Sequence, residues 1–461
     1  MRFWRAVGST RQGNSMELRA EIIAVGDELV SGQRLDTNSQ WLSRALADAG
    51  GRVVRHTTVG DDLQANIDAL RSAAARVDLI VCTGGLGPTQ DDLTREAIAA
   101  AFDAPLELHQ PSLEHIQSLF ARRGRSMPPR NRLQAMLPRG SLPIDNPHGS
   151  APGIDLSTTV DGRSVRIVAL PGVPAEMREM WSCTVGPKIL PQLLSSNLRQ
   201  FFHVVKVFGI GESDVEARLP GLFERGRDPT VGITVSRATI TLRIASWARD
   251  ETEFRQKAAA TLQQIHQALG DLVFGCGEME LEDRVAADLV RVGWRMVALE
   301  IGASSWVGDW LQAATGRLEV PTLEGGRSPF AGSLAFARRA DAVSWLRTDR
   351  DEADSAVLPT PSATAAAEPQ TQVSELVELA ELAAKRFAAD VALVIDGYPS
   401  EREMVAATSP FPVRYALWVG GGQVVDQRQL GGHPDVLGPR IAKVGLDLVR
   451  RAITDRHPTM V

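Results

Sequence analysis

A glycine-rich turn after a buried strand constrains the fold of this chain more than any other stretch. The mostly apolar residues 78–82 (DLIVC) predict a strand, residues 83–92 (TGGLGPTQDD) predict a turn, and residues 93–102 predict a helix. Glycines let the backbone approach a ligand, and the free amides at a helix start favour an anion. The stretch therefore predicts either a phosphate-binding loop or a capped helix without a ligand. The expected phosphate contacts are Gly84, Gly85 and Gly87.

The carboxylates at the end of this turn have different expected roles. Thr89 and Asp92 have the spacing of a capping box, so Asp92 is expected to hold the end of the helix. Asp91 is then the freer of the two side chains. Because a phosphate and a carboxylate repel each other, a metal ion between them is expected, and Asp91 is an expected ligand of that ion.

The strands before this turn place two further aspartates at the same edge of a sheet. Residues 21–25 and 53–59 predict strands that alternate with helices, and this order implies a mostly parallel, doubly wound α/β sheet. Ligands of such sheets bind beyond the carboxyl ends of the strands. Asp27, Asp61 and Asp91 each follow a strand, so we expect them to share one crevice as catalytic residues, with Asp27 and Asp91 as metal ligands. Turn and cap chemistry is the alternative for all three.

The length of the chain and its composition shifts indicate several segments. The chain has 461 residues, enough for about three domains. The expected segments are a disordered extension (1–15), an α/β domain (16–197), a small α+β module (198–276) and a second α/β domain (277–461). Residues 350–372 are rich in Ala, Pro, Ser and Thr, which predicts a mobile segment in the last domain.

Charge and cysteine content exclude several classes of protein. The net charge is −6, and without a long basic run the sequence argues against a nucleic-acid-binding protein. No apolar stretch reaches the length of a membrane span, so we expect no membrane partner. The 3 cysteines, Cys82, Cys183 and Cys276, are scattered, which is typical of buried thiols in a reducing compartment. We therefore expect a cytoplasmic protein.

Four stretches of the first domain resemble the CinA family of competence-damage-inducible proteins. They are GDEL (26–29) with Gly32 and DTN (36–38), the turn at 83–92, APG (151–153), and LPGVP (170–174) with the following Glu176 and Met177. The resemblance implies the molybdopterin-binding fold of MoaB and MoeA in the first domain. It also implies a KH-like middle module, whose GIGE turn (209–212) is acidic, so we do not expect RNA binding.

The resemblance implies two activities. One is metal-dependent hydrolysis of ADP-ribose at its pyrophosphate, with Mg, Mn or Co as the divalent ion and K as a further candidate. The other is deamidation of nicotinamide mononucleotide by a lysine-activated serine. The chain is accordingly expected to be a homodimeric hydrolase of NAD metabolism that acts on a nucleotide diphosphate. The expected substrate-binding residues are Asn38, Thr83, Gly84, Gly85, Gly87, Asp92, Gly153 and Gly172.

The last domain departs from the family pattern at its amidase positions. The family's serine, tyrosine, lysine and threonine fall on Ile301, Phe336, Asp341 and Asp396. An isoleucine cannot attack an amide, and an aspartate cannot replace a lysine as the base, so we expect the amidase site to be lost. Ser304 and Ser305 lie close by as candidate substitutes. The alternatives to a pyrophosphatase are a non-catalytic protein that binds a nucleotide or pterin or only dimerises, and a retained amidase.

Overall fold

The computed structural model of the chain describes residues 18–194, 198–318, 322–323, 325–347 and 369–457. The expected extension (1–15) and residues 350–368 of the expected mobile segment lie outside the described residues, and a helix begins at Pro369. The chain divides into two compact units, Met1–Phe201 with Trp247–Gln256 and Phe202–Ser246 with Lys257–Val461. No helix in the described ranges combines the length and apolarity needed to span a bilayer.

A six-stranded sheet forms the centre of the first unit. The strands before residue 171 are β1 (Leu18–Val25), β2 (Gly51–Val59), β3 (Leu79–Thr83), β4 (Leu106–Leu108), β5 (Met136–Pro138), β6 (Leu142–Ile144), β7 (Gly153–Val160) and β8 (Arg163–Leu170). The sheet has the order β2-β1-β3-β8-β7-β6, while β4 and β5 pair separately. Neighbours among β2, β1, β3 and β8 are parallel, and β6 and β7 are antiparallel. The predicted mostly parallel α/β sheet is confirmed.

Helices cover both faces of this sheet. They are α1 (Asp27–Val30), α2 (Thr37–Ala49), α3 (Leu63–Ala74), α4 (Thr94–Ala101), α5 (Gln110–Arg122), α6 (Pro174–Met180) and α7 (Leu190–Leu193). Successive strand residues point to opposite faces, so Ile22 packs in the core that contains Leu42, while Ile23 packs in the core that contains Ile67. Both faces are buried, which explains why the central strands are continuous apolar runs rather than alternating patterns.

Two further sheets follow along the chain. Their strands are β9 (Arg199–Val207), β10 (Thr230–Ser236), β11 (Thr239–Ala248), β12 (Val273–Cys276), β13 (Met296–Gly302), β14 (Phe330–Phe336), β15 (Val391–Tyr398), β16 (Phe411–Val419) and β17 (Gly422–Leu430). The first sheet has the order β10-β11-β9-β12, and the second has the order β14-β13-β15-β16-β17. The helices are α8 (Glu212–Arg218), α9 (Glu251–Leu269), α10 (Leu281–Val292), α11 (Val307–Gly316), α12 (Arg339–Arg347), α13 (Pro369–Phe387), α14 (Glu401–Ala406) and α15 (Pro434–Arg456).

The small sheet and the last domain share a hydrophobic core within the second unit. Phe208 follows β9 and Phe274 lies in β12, and both pack in one buried cluster with Leu281 and Leu289 of α10 and Ile441 of α15. Burial of aromatic side chains is a large contribution to a core. The two modules are therefore joined by packing as well as by the chain.

Candidate active site

A cavity of about 500 Å³ lies beyond the carboxyl ends of the parallel strands in the first unit. Its walls come from the segments that follow β1, β2, β3 and β8, which is where ligands of such sheets bind. The acidic side chains that line it are Glu28, Asp61, Asp91, Asp92 and Glu176. Arg34 lines it as well. An anionic ligand therefore needs additional positive charge to bind here.

The glycine turn forms one wall of this cavity and requires glycine at its first positions. Gly84 has a φ of +103°, and a Cβ built on it would lie 2.3 Å from the Val25 carbonyl oxygen. Gly85 has a φ of +65°, and its Cβ would lie 2.2 Å from the Thr94 hydroxyl. That hydroxyl donates a hydrogen bond to the Gly84 carbonyl oxygen at 2.8 Å. The turn is thus packed tightly between β1 and α4, with Gly84, Gly85 and Gly87 lining the cavity.

Asp92 braces the turn instead of capping the helix. Its carboxylate accepts hydrogen bonds at 2.8 Å from the backbone amides of Gly87 and Thr89, and another from the Thr89 hydroxyl. The helix α4 begins only at Thr94, and no side chain caps it. The predicted capping box is therefore wrong, because the chain stays in the turn beyond the position at which the box requires helical backbone.

Asp91 is the exposed carboxylate of this turn, as the sequence predicts. It lines the cavity next to Asp92, and the Thr89 hydroxyl, its own backbone amide and the charge of Arg130 hold the pKa of Asp91 below its usual range. Asp91 is therefore ionised at neutral pH and available to a cation. A lowered pKa also means that this carboxylate is a weak acceptor for a proton.

A buried arginine lies behind the turn. Arg95 is 2% exposed and donates hydrogen bonds to the carbonyl oxygens of Leu86 and Gly87, at 2.6 and 2.9 Å. Burial lowers the pKa of the guanidinium, and the charges of Glu96 and Asp92 oppose that shift. Since arginine stays protonated in proteins, its charge favours an anion on the cavity side of the turn. Sequence reasoning missed this residue, because within the helical pattern it resembles a solvated side chain.

Asp27 and Asp61 are brought together by a reciprocal pair of hydrogen bonds. The Asp27 amide donates to the Asp61 carboxylate at 3.1 Å, and the Asp61 amide donates to the Asp27 carboxylate at 3.0 Å. Burial raises the pKa of Asp61, the Asp27 amide opposes this, and the charges of Asp27, Asp91 and Glu28 raise it further. Such mutual repulsion between carboxylates is relieved when a cation binds.

The arrangement fits a hard divalent ion that is shared with a substrate. Within the described ranges no group of three His, Cys, Asp or Glu side chains is placed to hold a metal ion by itself. Mg²⁺ is commonly held by one or two carboxylates and completes its octahedron with phosphate oxygens and water. Asp61 and Asp91 line this cavity and offer oxygen ligands, whereas Asp27, the other expected ligand, is not among the residues that line it and is linked to it through its hydrogen bonds with Asp61. The expected ligand types are therefore present.

Asn38, Thr83 and Gly172 surround a smaller cavity of about 30 Å³ that shares Glu28 and Arg34 with the larger one. The Asn38 amide donates to the Thr83 hydroxyl and to the Gly172 carbonyl oxygen, both at 3.0 Å. The Asn38 Oδ1 atom is buried without a hydrogen-bond partner in the described structure. A cavity of this size suits a water molecule or a ligand hydroxyl that donates to this oxygen.

Gly153 has a structural explanation and not the expected binding role. It begins β7, is buried, and pairs with Ile144 of β6. A Cβ on Gly153 would lie 2.7 Å from the Ala169 carbonyl oxygen and 2.9 Å from the Met180 methyl group. The expectation that Gly153 contacts the substrate is therefore corrected: glycine is needed for close packing inside the sheet.

Family models match the two N-terminal modules of the chain. A model described as "Probable molybdopterin binding domain" matches residues 21–191, and one described as "Damage-inducible protein CinA KH domain" matches residues 203–275. A CinA-like protein of Kosmotoga olearia is 32% identical over 437 residues, which cover 95% of this chain and 99% of that protein. The chain belongs to the CinA family.

Other CinA proteins match parts of the chain. A CinA-like protein of Dictyoglomus turgidum is 40% identical over 276 residues, which cover 60% of this chain and 66% of that protein. The solved structure of CinA from Thermoplasma acidophilum, described as having unknown function, is 34% identical, with a TM-score of 0.33. It covers 36% of this chain and 94% of that one. The predicted membership in the CinA family is confirmed by the full-length relative.

Three of the four positions that the resemblance aligns with amidase residues lie side by side, in a row across neighbouring strands of the last domain. Ile301 of β13 is in register with Phe336 of β14 on one side and with Asp396 of β15 on the other. Ile301 is buried in an apolar cluster, which Phe336 also contacts. Asp396 accepts a hydrogen bond from Arg339 and lies 3.7 Å from Arg414. The row is thus an apolar pair beside a partly buried ion pair.

Asp341 and the candidate substitute serines do not join this row. Asp341 lies in the first turn of α12 and forms an exposed ion pair with Arg338 at 3.0 Å. Ser304 and Ser305 lie in the connection between β13 and α11. The structure therefore brings together three of the four positions that the resemblance aligns with amidase residues, Ile301, Phe336 and Asp396, and leaves Asp341 at the surface.

The start of α11 is occupied by a carboxylate of the chain itself. Glu300 is buried and accepts hydrogen bonds from the amides of Trp306, Val307 and Gly308 at 2.8, 3.1 and 3.2 Å. The Tyr398 hydroxyl donates a fourth at 2.8 Å, and burial and the charge of Glu300 raise the pKa of Tyr398 well above its usual range. An anion has no free amides here, because Glu300 already uses them.

Proposed function

We propose that the first unit is a metal-dependent pyrophosphatase that hydrolyses ADP-ribose or a similar nucleotide diphosphate. The observation that carries the proposal is the combination, in one cavity, of a glycine turn backed by the buried Arg95 and the carboxylates Asp61 and Asp91. The turn and the guanidinium favour phosphate, and the carboxylates favour a cation. A diphosphate bridged to the protein by a divalent ion satisfies both.

The residues of this chain have separable roles in the proposed reaction. A bound divalent ion supplies charge neutralisation on the diphosphate and a more acidic water. The amides of Gly84, Gly85 and Gly87 orient one phosphate, and Arg95 stabilises the charge on it through the backbone of the turn. Asp27, through its bonds to Asp61, keeps the Asp61 carboxylate in place.

The test is release of AMP and ribose 5-phosphate from ADP-ribose by the purified full chain, with and without EDTA, in the presence of Mg²⁺, Mn²⁺ or Co²⁺. We expect hydrolysis that EDTA abolishes. Asp91→Asn is expected to lower kcat/KM at least about 100-fold, because the carboxylate is lost without a change in size. Asp161→Asn is the matched control, since Asp161 lies in the turn between β7 and β8, at the opposite end of β8 from the cavity. Hydrolysis by the Asp91→Asn protein at the wild-type rate would show that the site assignment is wrong.

A second candidate is binding of a nucleotide or pterin without hydrolysis. One observation favours it: the described carboxylates do not form a three-ligand metal cluster. Titration calorimetry with ADP-ribose distinguishes the two functions. Micromolar binding by a protein that releases no product with any of the three metals would support the second candidate and contradict the first.

We propose in addition that the last domain has lost nicotinamide mononucleotide deamidation. Ile301 offers no nucleophile and is buried among apolar side chains, while Asp396 is engaged by Arg339. A chain of this family with an inactive last domain can still use it for assembly, and we expect a homodimer. Light scattering of the purified protein tests that expectation.

A further inference from the structure

Glu176 stands on the wall of the cavity that faces the glycine turn, and it has no role in the sequence-based assignment. It lies in the first turn of α6, which follows β8, and β8 is the sheet neighbour of β3. Glu176 lines the same cavity as Gly84 and Asp61. The carboxylate therefore shares one cavity with the glycine turn, on a different element from Asp61 and Asp91.

A buried asparagine holds this carboxylate in place. Asn146 is 3% exposed, and its amide donates to Glu176 Oε2 at 2.7 Å and to the Ala151 carbonyl oxygen at 2.9 Å. Its own Oδ1 accepts from the Gly149 amide at 2.8 Å, and His115 Nε2 donates to its backbone oxygen at 3.1 Å. Every donor and acceptor of the Asn146 side-chain amide is used, so the orientation of the amide is determined.

The loop that carries Asn146 is shaped around Glu176. A Cβ on Gly149 would lie 2.2 Å from Glu176 Oε2 and 2.4 Å from Asn146 Nδ2, so a larger residue here would displace this hydrogen-bonded pair. The held atom is Oε2, and within the described residues no hydrogen bond uses Oε1. The carboxylate is therefore fixed at one oxygen and available at the other.

Comparison with the other carboxylates shows what is different about Glu176. Both oxygens of Asp92 are used by the turn, whereas Asp61 and Asp27 each use one oxygen to accept the other's amide. Asp61 and Asp91 are the cavity carboxylates that the proposed function assigns to the cation, so their oxygens are engaged when the ion binds. Glu176 combines a position on the cavity wall, a rigid support and an oxygen without a protein partner. These are the geometric requirements for a general base.

We infer that Glu176 is the general base of the pyrophosphatase reaction and that Asn146 is its positioning residue. The inference rests on the proposed function. A water molecule attacks one phosphorus, a P–O bond to the water oxygen forms, and the bond from that phosphorus to the bridging oxygen breaks. The bridging oxygen leaves with the second phosphate and its electron pair. The water gives its proton to Glu176, which passes it to solvent, so the products are two phosphomonoesters and one proton.

The decisive variant is Glu176→Gln in the full chain, because glutamine keeps the length and the oxygen that accepts from Asn146. We expect kcat for ADP-ribose to fall about 10² to 10⁴-fold with little change in KM, since a base acts in the transition state. The acidic limb of the pH profile of kcat should disappear as well. Glu176→Ala should recover part of its activity with added formate, which a purely structural role would not allow.

The matched control is Glu179→Gln, one turn further along α6, where the carboxylate lies 3.3 Å from the exposed His148. We expect wild-type kinetics from it. Asn146→Ser should lower kcat less than Glu176→Gln does, and the double variant should be no slower than Glu176→Gln alone, because the two residues act as one unit.

The outcomes separate this inference from the proposed function. A wild-type protein that does not hydrolyse ADP-ribose contradicts the proposed function. An active wild type whose Glu176→Gln variant keeps its kcat leaves the function intact and overturns the assignment of the base. A variant that instead needs more metal for half-maximal activity, with an unchanged pH profile, identifies Glu176 as a metal ligand and likewise overturns it.

Discussion

A buried lysine in the second unit offers a quantitative test of how the small sheet and the last domain are held together. Lys443 of α15 is 1% exposed and donates hydrogen bonds to the Thr239 hydroxyl and, at 2.7 Å, to Glu280. Lys206 binds the other oxygen of Glu280 at 3.0 Å. Thr239 and Lys206 belong to the small sheet, and Lys443 belongs to the last domain.

The perturbation is Lys443→Met, which keeps an unbranched apolar chain and removes the charge. Removing one partner of a buried ion pair costs about 3–5 kcal/mol. The Glu280 side chain, however, is 34% exposed and keeps its ion pair with Lys206. Solvent and Lys206 therefore compensate in part, and we expect a loss of about 2 kcal/mol in the free energy of unfolding. With an m-value of about 3 kcal/mol/M, the urea midpoint should fall by roughly 0.7 M.

The assay is urea unfolding of the full chain, followed by tryptophan fluorescence. The matched control is Lys385→Met, whose pair with Glu381 lies on the surface of α13 and should contribute less than about 0.5 kcal/mol. Equal urea midpoints for Lys443→Met and Lys385→Met would refute the reasoning, because burial would then add nothing to the stabilisation from the Lys443–Glu280 pair.

The same cluster predicts the direction of a pH effect. Burial raises the pKa of Glu280, but the hydrogen bonds and charges of Lys443 and Lys206 outweigh it, so its pKa lies below the usual 4.5. A lowered carboxyl pKa contributes stability that is present above pH 4.5 and is lost as the pH falls through the folded-state value. The Lys443→Met protein should lose less stability than the wild type when the pH is lowered from 6 to about 3.

Three further outcomes follow from the structure. Gly84→Ala should destabilise the first unit by about 2 kcal/mol or more, measured by thermal unfolding, because its Cβ would lie 2.3 Å from the Val25 carbonyl oxygen at a positive φ. Arg95→Met should weaken calorimetric binding of ADP-ribose at least about tenfold, because two turn carbonyl oxygens lose a charged donor. The unmodified protein should release no ammonia from nicotinamide mononucleotide, and Ile301→Ser should not restore release, since Asp341 still stands in place of the base. If the wild type released ammonia and a variant without Ser304 and Ser305 did not, the prediction of a lost amidase site would be wrong.

Local patterns were sufficient to predict the framework of the first unit. Residues 78–82 are a run of apolar side chains after one aspartate, and such a run in a βα repeat is buried on both faces whatever the details of packing. The glycines at 84 and 85 follow this strand at once, and both have the positive φ values that glycine adopts without steric cost in a tight turn.

The parts that could not be predicted depend on contacts between distant positions. Asp92 was expected to cap a helix, and its true partners in the turn became evident only with the backbone path. Gly153 was expected at the ligand, but its need for glycine comes from Ala169 and Met180 across the sheet. In the last domain, the register that aligns Ile301 with Asp396 is a property of pairing between strands whose residues are 95 positions apart, far beyond the range of a local motif.

The sequence alone determined which residue types follow each strand, and through them the kind of ligand that the first unit can accept. Tertiary structure decided which of those residues keep a polar atom available to a ligand. Both oxygens of Asp92 are engaged by backbone amides, whereas Glu176 is fixed by Asn146, 30 residues away, with one oxygen left over. The physical reason is that a carboxylate's role depends on how many of its hydrogen bonds the protein satisfies, and those partners come from elements that only folding brings together.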